Sequence, residues 1–75
     1  MNLRELRARK MLSMRELAKQ SGVSLSSIYA MEAGRTIPRM DVVRKLVAFF
    51  QVDPMEVDEF RVAIEEASKP KKDVA

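Results

Sequence analysis

Between Ser13 and Gly34 the chain reads SMRELAKQSGVSLSSIYAMEAG, two short amphipathic segments punctuated by glycines, and few folds accommodate that pattern. Ser13 and Glu16 form an S-x-x-E capping box, in which each side chain takes an N–H left unpaired at a helix start. Leu17 and Ala18 supply the apolar face of that helix. Gly22 follows as a residue that accepts a left-handed backbone without a Cβ clash, and Val23 as an apolar plug. Ser24 is a good N-cap for a second helix over Leu25–Ala33, with Gly34 suited to its end. Ile28 and Met31 lie three apart and face inward, which leaves Leu25, Ser26 and Tyr29 outward. Two helices so joined make a helix-turn-helix, whose second helix can lie in the major groove of DNA.

The remaining helices follow from apolar spacing. A first helix is expected from about Asn2 to Lys10, with Asn2 as N-cap and Leu3 and Leu6 inward. Arg35 to Pro38 reads as a connector, because the residue before a proline is pushed out of the helical region. A fourth helix is expected over Met40–Phe50, with Val43, Leu46, Val47 and Phe50 on one face. Asp53-Pro54 signals a restart, an N-cap followed by proline at the first helical position. The fifth helix then runs from Pro54 to about Ala67 with Val57, Phe60, Ile64 and Ala67 as one stripe. Residues 68–75, SKPKKDVA, lack apolar periodicity and are expected to form a disordered basic tail. The fold class is all-α, one five-helix domain over 1–67.

Composition narrows the chemistry. Seventy-five residues make one domain near the lower size at which a core holds without staples. The chain has no Cys and no His, hence no disulfide framework, no thiolate metal site and no imidazole base. No metal site and no cofactor are expected. A nucleophilic role for Ser24, Ser26 or Ser27 would need a base that the sequence does not place beside them, so an enzyme is not expected. The longest apolar run, Leu46 to Phe50, is too short to span a bilayer, and the N-terminal MNLRELRARK has no apolar signal core. A soluble, cytoplasmic protein with no membrane partner is the expectation.

The net charge of +3 conceals an uneven distribution. Residues 1–46 hold ten Lys/Arg against four acids, +6, whereas 47–67 hold only Arg61 against six acids, −5. A basic body beside an acidic C-terminal segment suits a polyanion on one side only. Solvated helix faces of mixed charge would give the same totals.

From Leu3 to Val57 the chain resembles the DNA-binding domain of the phage repressor (Cro/CI-like, xenobiotic-response-element) helix-turn-helix family. The resemblance is carried by Leu3, Leu6 and Arg7, LS at 12–13, ELA at 16–18 and GVS at 22–24. It continues through Ile28, Glu32, Gly34-Arg35, Ile37-Pro38 and the closing VDPMEV. It covers about three-quarters of the chain, in order and with similar gaps. The resemblance implies a compact lambda-repressor-like domain and an ion pair between Arg7 and Glu32 that fixes the recognition helix. It also implies DNA-backbone contacts in the connector after that helix, and dimerisation through C-terminal elements. The chain departs from the family pattern at Met14, often Gln, at Ala33, often Asn, and at Met11, commonly Gly. The first two departures remove plausible phosphate contacts; the third places a side chain where a left-handed backbone is common.

Base readout is expected from Leu25, Ser26 and Tyr29, with Ala30 flanking, although no Arg, Asn or Gln offers a bidentate pair there. Leu25 reads equally well as core or as a thymine-methyl contact. Phosphate contacts are expected from Arg35, Thr36 and Arg39, from Ser24 and Ser27, and from the N–H groups of Met14 and Arg15 at a helix start. The stripe Val57, Phe60, Ile64 and Ala67 either closes the core or forms a homodimer. A two-fold dimer would space its recognition helices on the order of 34 Å apart on a pseudo-palindromic site. The expected function is sequence-specific binding of double-stranded DNA as a dimeric transcriptional repressor. The alternative is a protein–protein interaction module, or an antitoxin-like regulator acting with a partner protein.

Overall fold

Three of the helix starts are set by a side chain turned back on the backbone. In the computed structural model, which describes residues 1–69, α1 spans Leu3–Arg9, α2 Met14–Ser21, α3 Leu25–Glu32, α4 Met40–Phe50 and α5 Asp58–Ser68. Asn2 and Glu5 close a capping box on α1, and Ser13 and Glu16 close one on α2. Ser24 caps α3 through the Ser27 N–H. No strand occurs among the described residues, and the architecture is all-α. Of the tail expected to be disordered from residue 68, Ser68 instead closes α5 and Lys69 is its C-cap, and the part from residue 70 on lies outside the described residues.

Each of the first four helices is followed by a left-handed residue. After α1 the Met11 N–H donates to the Ala8 carbonyl and the Leu12 N–H to the Arg7 carbonyl, a Schellman closure. Met11 stands at its left-handed position with φ 56° and is 89% exposed. The same closure follows α3, where Gly34 at φ 72° donates to Met31 and Arg35 donates to Ala30. Gly22 ends α2 at φ 78°, and Gln51 ends α4 at φ 55°.

One core joins all five helices. Leu3 and Leu6 of α1, Leu17 of α2 and Ile28 and Met31 of α3 are buried with Val23. They pack with Val43, Leu46 and Phe50 of α4, and with Val57, Phe60 and Ala63. The Phe49 and Phe50 rings meet edge to face, 5.0 Å between centroids.

The fifth helix begins later than its Asp53-Pro54 signal suggests. Asp53 caps Met55, but Pro54–Glu56 form only a 3-10 turn, and Val57 is extended. In a continuous helix the Asp58 N–H would reach back to Pro54. Here the Val57 N–H takes that carbonyl at 3.2 Å, and the Asp58 N–H donates to Met1 at 2.7 Å. The break lets Val57 drop fully into the core. It also re-phases α5, whose buried positions are Phe60 and Ala63, with Ile64 half-buried and Ala67 exposed. Val57 and Phe60, two of the four expected dimer residues, are each 0% exposed within the monomer and have no surface to offer a second copy.

Glu59 has a task that sequence spacing did not reveal. Its carboxylate accepts the Leu3 N–H at 2.8 Å, capping α1 from α5. The chain's first residues are thereby tied to the start of the last helix.

Candidate nucleic-acid interface

The outward face of α3 follows from which residues anchor the inward one. Ile28 and Met31 are buried, so at 100° per residue Leu25, Ser26, Tyr29 and Ala30 turn away from the core. Leu25 is 39% and Tyr29 52% exposed, Ser26 is exposed and Ala30 half-buried. That places Leu25 on the surface, not in the core. These four residues and Arg35 line one shallow concavity.

Arg35 reaches that surface because of Gly34. The left-handed glycine and the bond from Arg35 N–H to Ala30 fold the chain back over the last turn of α3. The Arg35 guanidinium then lies 5.6 Å from the centroid of the Tyr29 ring, a cation–π contact.

Two further concavities flank the first. On one side Met14, at the start of α2, faces Tyr29 and Ala33 together with Arg4 and the Arg7–Glu32 pair. On the other, Ser27 lines a hollow with Thr36, Pro38, Arg39 and Asp41. The candidate phosphate contacts Met14, Ser27, Thr36 and Arg39 therefore lie to either side of the candidate base contacts. Arg15 is exposed at the second position of α2, and Ser24 is exposed at the head of α3. The Ser13 hydroxyl takes the Glu16 N–H, and among the described residues no acceptor pairs with the N–H groups of Met14 and Arg15. Arg4 joins these candidates only in the folded chain. Its position one turn before Arg7 is a weak signal, and only packing brings it beside Met14 and Tyr29.

The hydroxyls at the start of α3 are engaged with one another. Ser24 Oγ accepts the Ser27 N–H at 3.2 Å and donates to Ser27 Oγ at 2.7 Å, while Ser26 Oγ lies 3.4 Å from Ser24 Oγ.

Behind the face, Arg7 holds Glu32 through Nε and Nη2 at 2.8 and 2.9 Å, and Nη1 donates to the Leu12 carbonyl at 2.9 Å. The side chains are 15% and 4% exposed. The hydrogen bonds to Glu32 raise the Arg7 pKa above its ordinary value, outweighing partial burial. At the head of α2 the Ser13 N–H, donating to the Glu16 carboxylate, holds that acid below the usual range.

A model of the Cro/C1-type helix-turn-helix family matches residues 3–57. The chain belongs to that family. This helix-turn-helix protein is accordingly a DNA-binding transcription regulator. No curated protein and no solved structure matches it. No helix among its described residues is long and apolar enough to cross a membrane. The matched span ends at Val57, so α5 lies wholly beyond it.

Proposed function

We propose that this protein is a sequence-specific repressor that lays α3 in the major groove of double-stranded DNA and occludes a promoter as a homodimer. The observation that carries the reading is the outward face of α3. Leu25, Ser26, Tyr29 and Ala30 form one exposed surface with phosphate-contact candidates on both flanks. Ionic contacts from Arg35, Arg39, Arg15 and Arg4 would supply most of the non-specific affinity, which then falls with salt.

Support for the dimer comes from apolar surface beyond the core. Ile37 in the connector and Val62 on α5 are 49% and 41% exposed and line a common groove. Ile64 and Ala67 remain partly accessible on α5. With Val57 and Phe60 committed to the monomer, these are the residues a second copy would cover.

One observation favours a second reading. The α3 face carries an exposed Leu25 in place of a polar reader, in one concavity with Ala30, and Met14 lines the next one with Tyr29, which suits contact with a partner protein. Selection from a random duplex library, followed by footprinting, separates the two. An enriched palindrome supports the dimeric repressor; a single half-site keeps DNA recognition and removes the dimer. No enrichment by folded protein moves the partner-protein reading to first place.

A further inference from the structure

We propose that α3 selects its DNA site by the C5-methyl groups of pyrimidines, those of thymine and 5-methylcytosine, and not by bidentate hydrogen bonds to base edges. The inference rests on the reading of α3 as the groove helix. It concerns what that helix recognises there.

The first argument is what the face lacks. Strong discrimination through hydrogen bonds uses bidentate groups, an Arg or Lys on guanine, an Asn or Gln on adenine, or an acid on cytosine. None stands among Leu25, Ser26, Tyr29 and Ala30. Of the guanidiniums near the surface, Arg4 approaches from α1, and Arg35 enters after the helix has ended and stacks on the Tyr29 ring. That location suits the phosphate backbone better than the groove floor.

The second argument is that the serine hydroxyls are already engaged. Ser24 bonds to Ser27 as both acceptor and donor, and Ser26 lies against Ser24. A serine turning to a base edge exchanges an existing contact for a new one, which leaves little net discrimination.

The third argument is what remains. Leu25 occupies the first position of α3, the end of a recognition helix that meets base edges, and it is 39% exposed. It shares a surface with the Ala30 methyl and the Tyr29 ring. The major-groove edge of the bases carries one apolar group, the pyrimidine C5-methyl. Covering it with Leu25 removes apolar area from water on both partners. The gain per methyl corresponds to about three- to five-fold in affinity. A cytosine methylated at C5 presents the same group at the same place, so methylation at the contacted position would tighten binding.

The experiment uses the full chain and its selected duplex. Each thymine is replaced in turn by uracil, which keeps every hydrogen-bonding group and deletes only the methyl. The expected result is a three- to five-fold loss at one or two positions per half-site and no loss elsewhere. Leu25→Ala, checked for folding by circular dichroism, should bind thymine and uracil duplexes equally. At a sensitive position, 5-methylcytosine opposite guanine should bind more tightly than cytosine. Equal binding of thymine and uracil duplexes by the unaltered protein, with the site still preferred over a scrambled duplex, overturns the inference and leaves the groove reading standing. A uracil penalty that survives in Leu25→Ala overturns the assignment to Leu25. Absence of any preference for a selected site overturns the groove reading, and this inference with it.

Discussion

Arg7 and Glu32 are joined by two parallel hydrogen bonds, at 2.8 and 2.9 Å, that tie the last turn of α1 to the last turn of α3. A third bond carries the Arg7 guanidinium to the Leu12 carbonyl, and the Leu12 N–H returns to the Arg7 carbonyl. One side chain thus fixes both the tilt of α3 and the loop that leads into α2. With Glu32 only 4% exposed, Arg7→Ala strands a buried carboxylate and should cost about 3 kcal/mol in chemical denaturation. The double replacement Arg7→Met with Glu32→Leu should recover most of that stability, because no charge is then left unpaired. A double replacement no more stable than Arg7→Ala would show that the bond to Leu12 matters more than the ion pair.

Met11 holds a left-handed backbone that its side chain does nothing to stabilise, being 89% exposed. Met11→Gly relieves the Cβ strain against a smaller loss from the greater freedom of the unfolded chain. A net gain of about 0.5 kcal/mol is expected, read as a rise of a few degrees in Tm. DNA affinity should not change, since Met11 lines neither the α3 surface nor its flanks.

The α2 capping box confers a defined pH dependence. Hydrogen bonds from Ser13 depress the Glu16 pKa in the folded state. Its contribution is therefore complete above the ordinary glutamate value and is lost as the pH falls through the lower folded value. Glu16→Gln keeps an acceptor for the Ser13 N–H but does not titrate. The difference in Tm between the two proteins should be constant near neutrality and shrink in acid. A difference that is flat through the acid range would remove Glu16 from the acid sensitivity of the fold.

Arg35→Ala should weaken binding to specific and non-specific duplexes in equal proportion and lower the salt slope by about one. It also frees the Tyr29 ring from its cation–π contact, worth about 0.5–1 kcal/mol at an exposed site. Binding isotherms across salt concentrations test both. A changed selected motif, with the slope intact, would make Arg35 a reader of bases.

Val62 and Phe60 lie two residues apart on α5 and should respond to replacement in opposite ways. Phe60→Ala opens a cavity in the monomer core and should destabilise it by about 3–5 kcal/mol. Val62→Lys should leave the monomer folded, because Val62 is 41% exposed, while shifting sedimentation from dimer to monomer. Monomeric behaviour of the unaltered protein at all concentrations would end the case for α5 as a dimer surface.

Local chemistry determined much of this molecule. The S-x-x-E box, the glycines at 22 and 34 and Ser24 act within one or two turns, so their pattern already defined α2, α3 and the turn between them. The spacing of Val43, Leu46 and Phe50 defined α4 over the bounds observed. The surface position of Leu25 was a tertiary outcome, because an apolar residue at a helix start packs inward or outward according to how the neighbouring helices close. So was the start of α5. Asp53-Pro54 announced a helix, but the Asp58 N–H found the carbonyl of Met1, at the other end of the sequence, and the break sent Val57 into the core. Glu59 on Leu3, Arg35 over Tyr29 and Arg4 beside Met14 belong to the same class. Capping and helical periodicity are short-range and are written in neighbouring residues. Contacts between distant helices depend on how the whole core packs, and only the folded chain decides them.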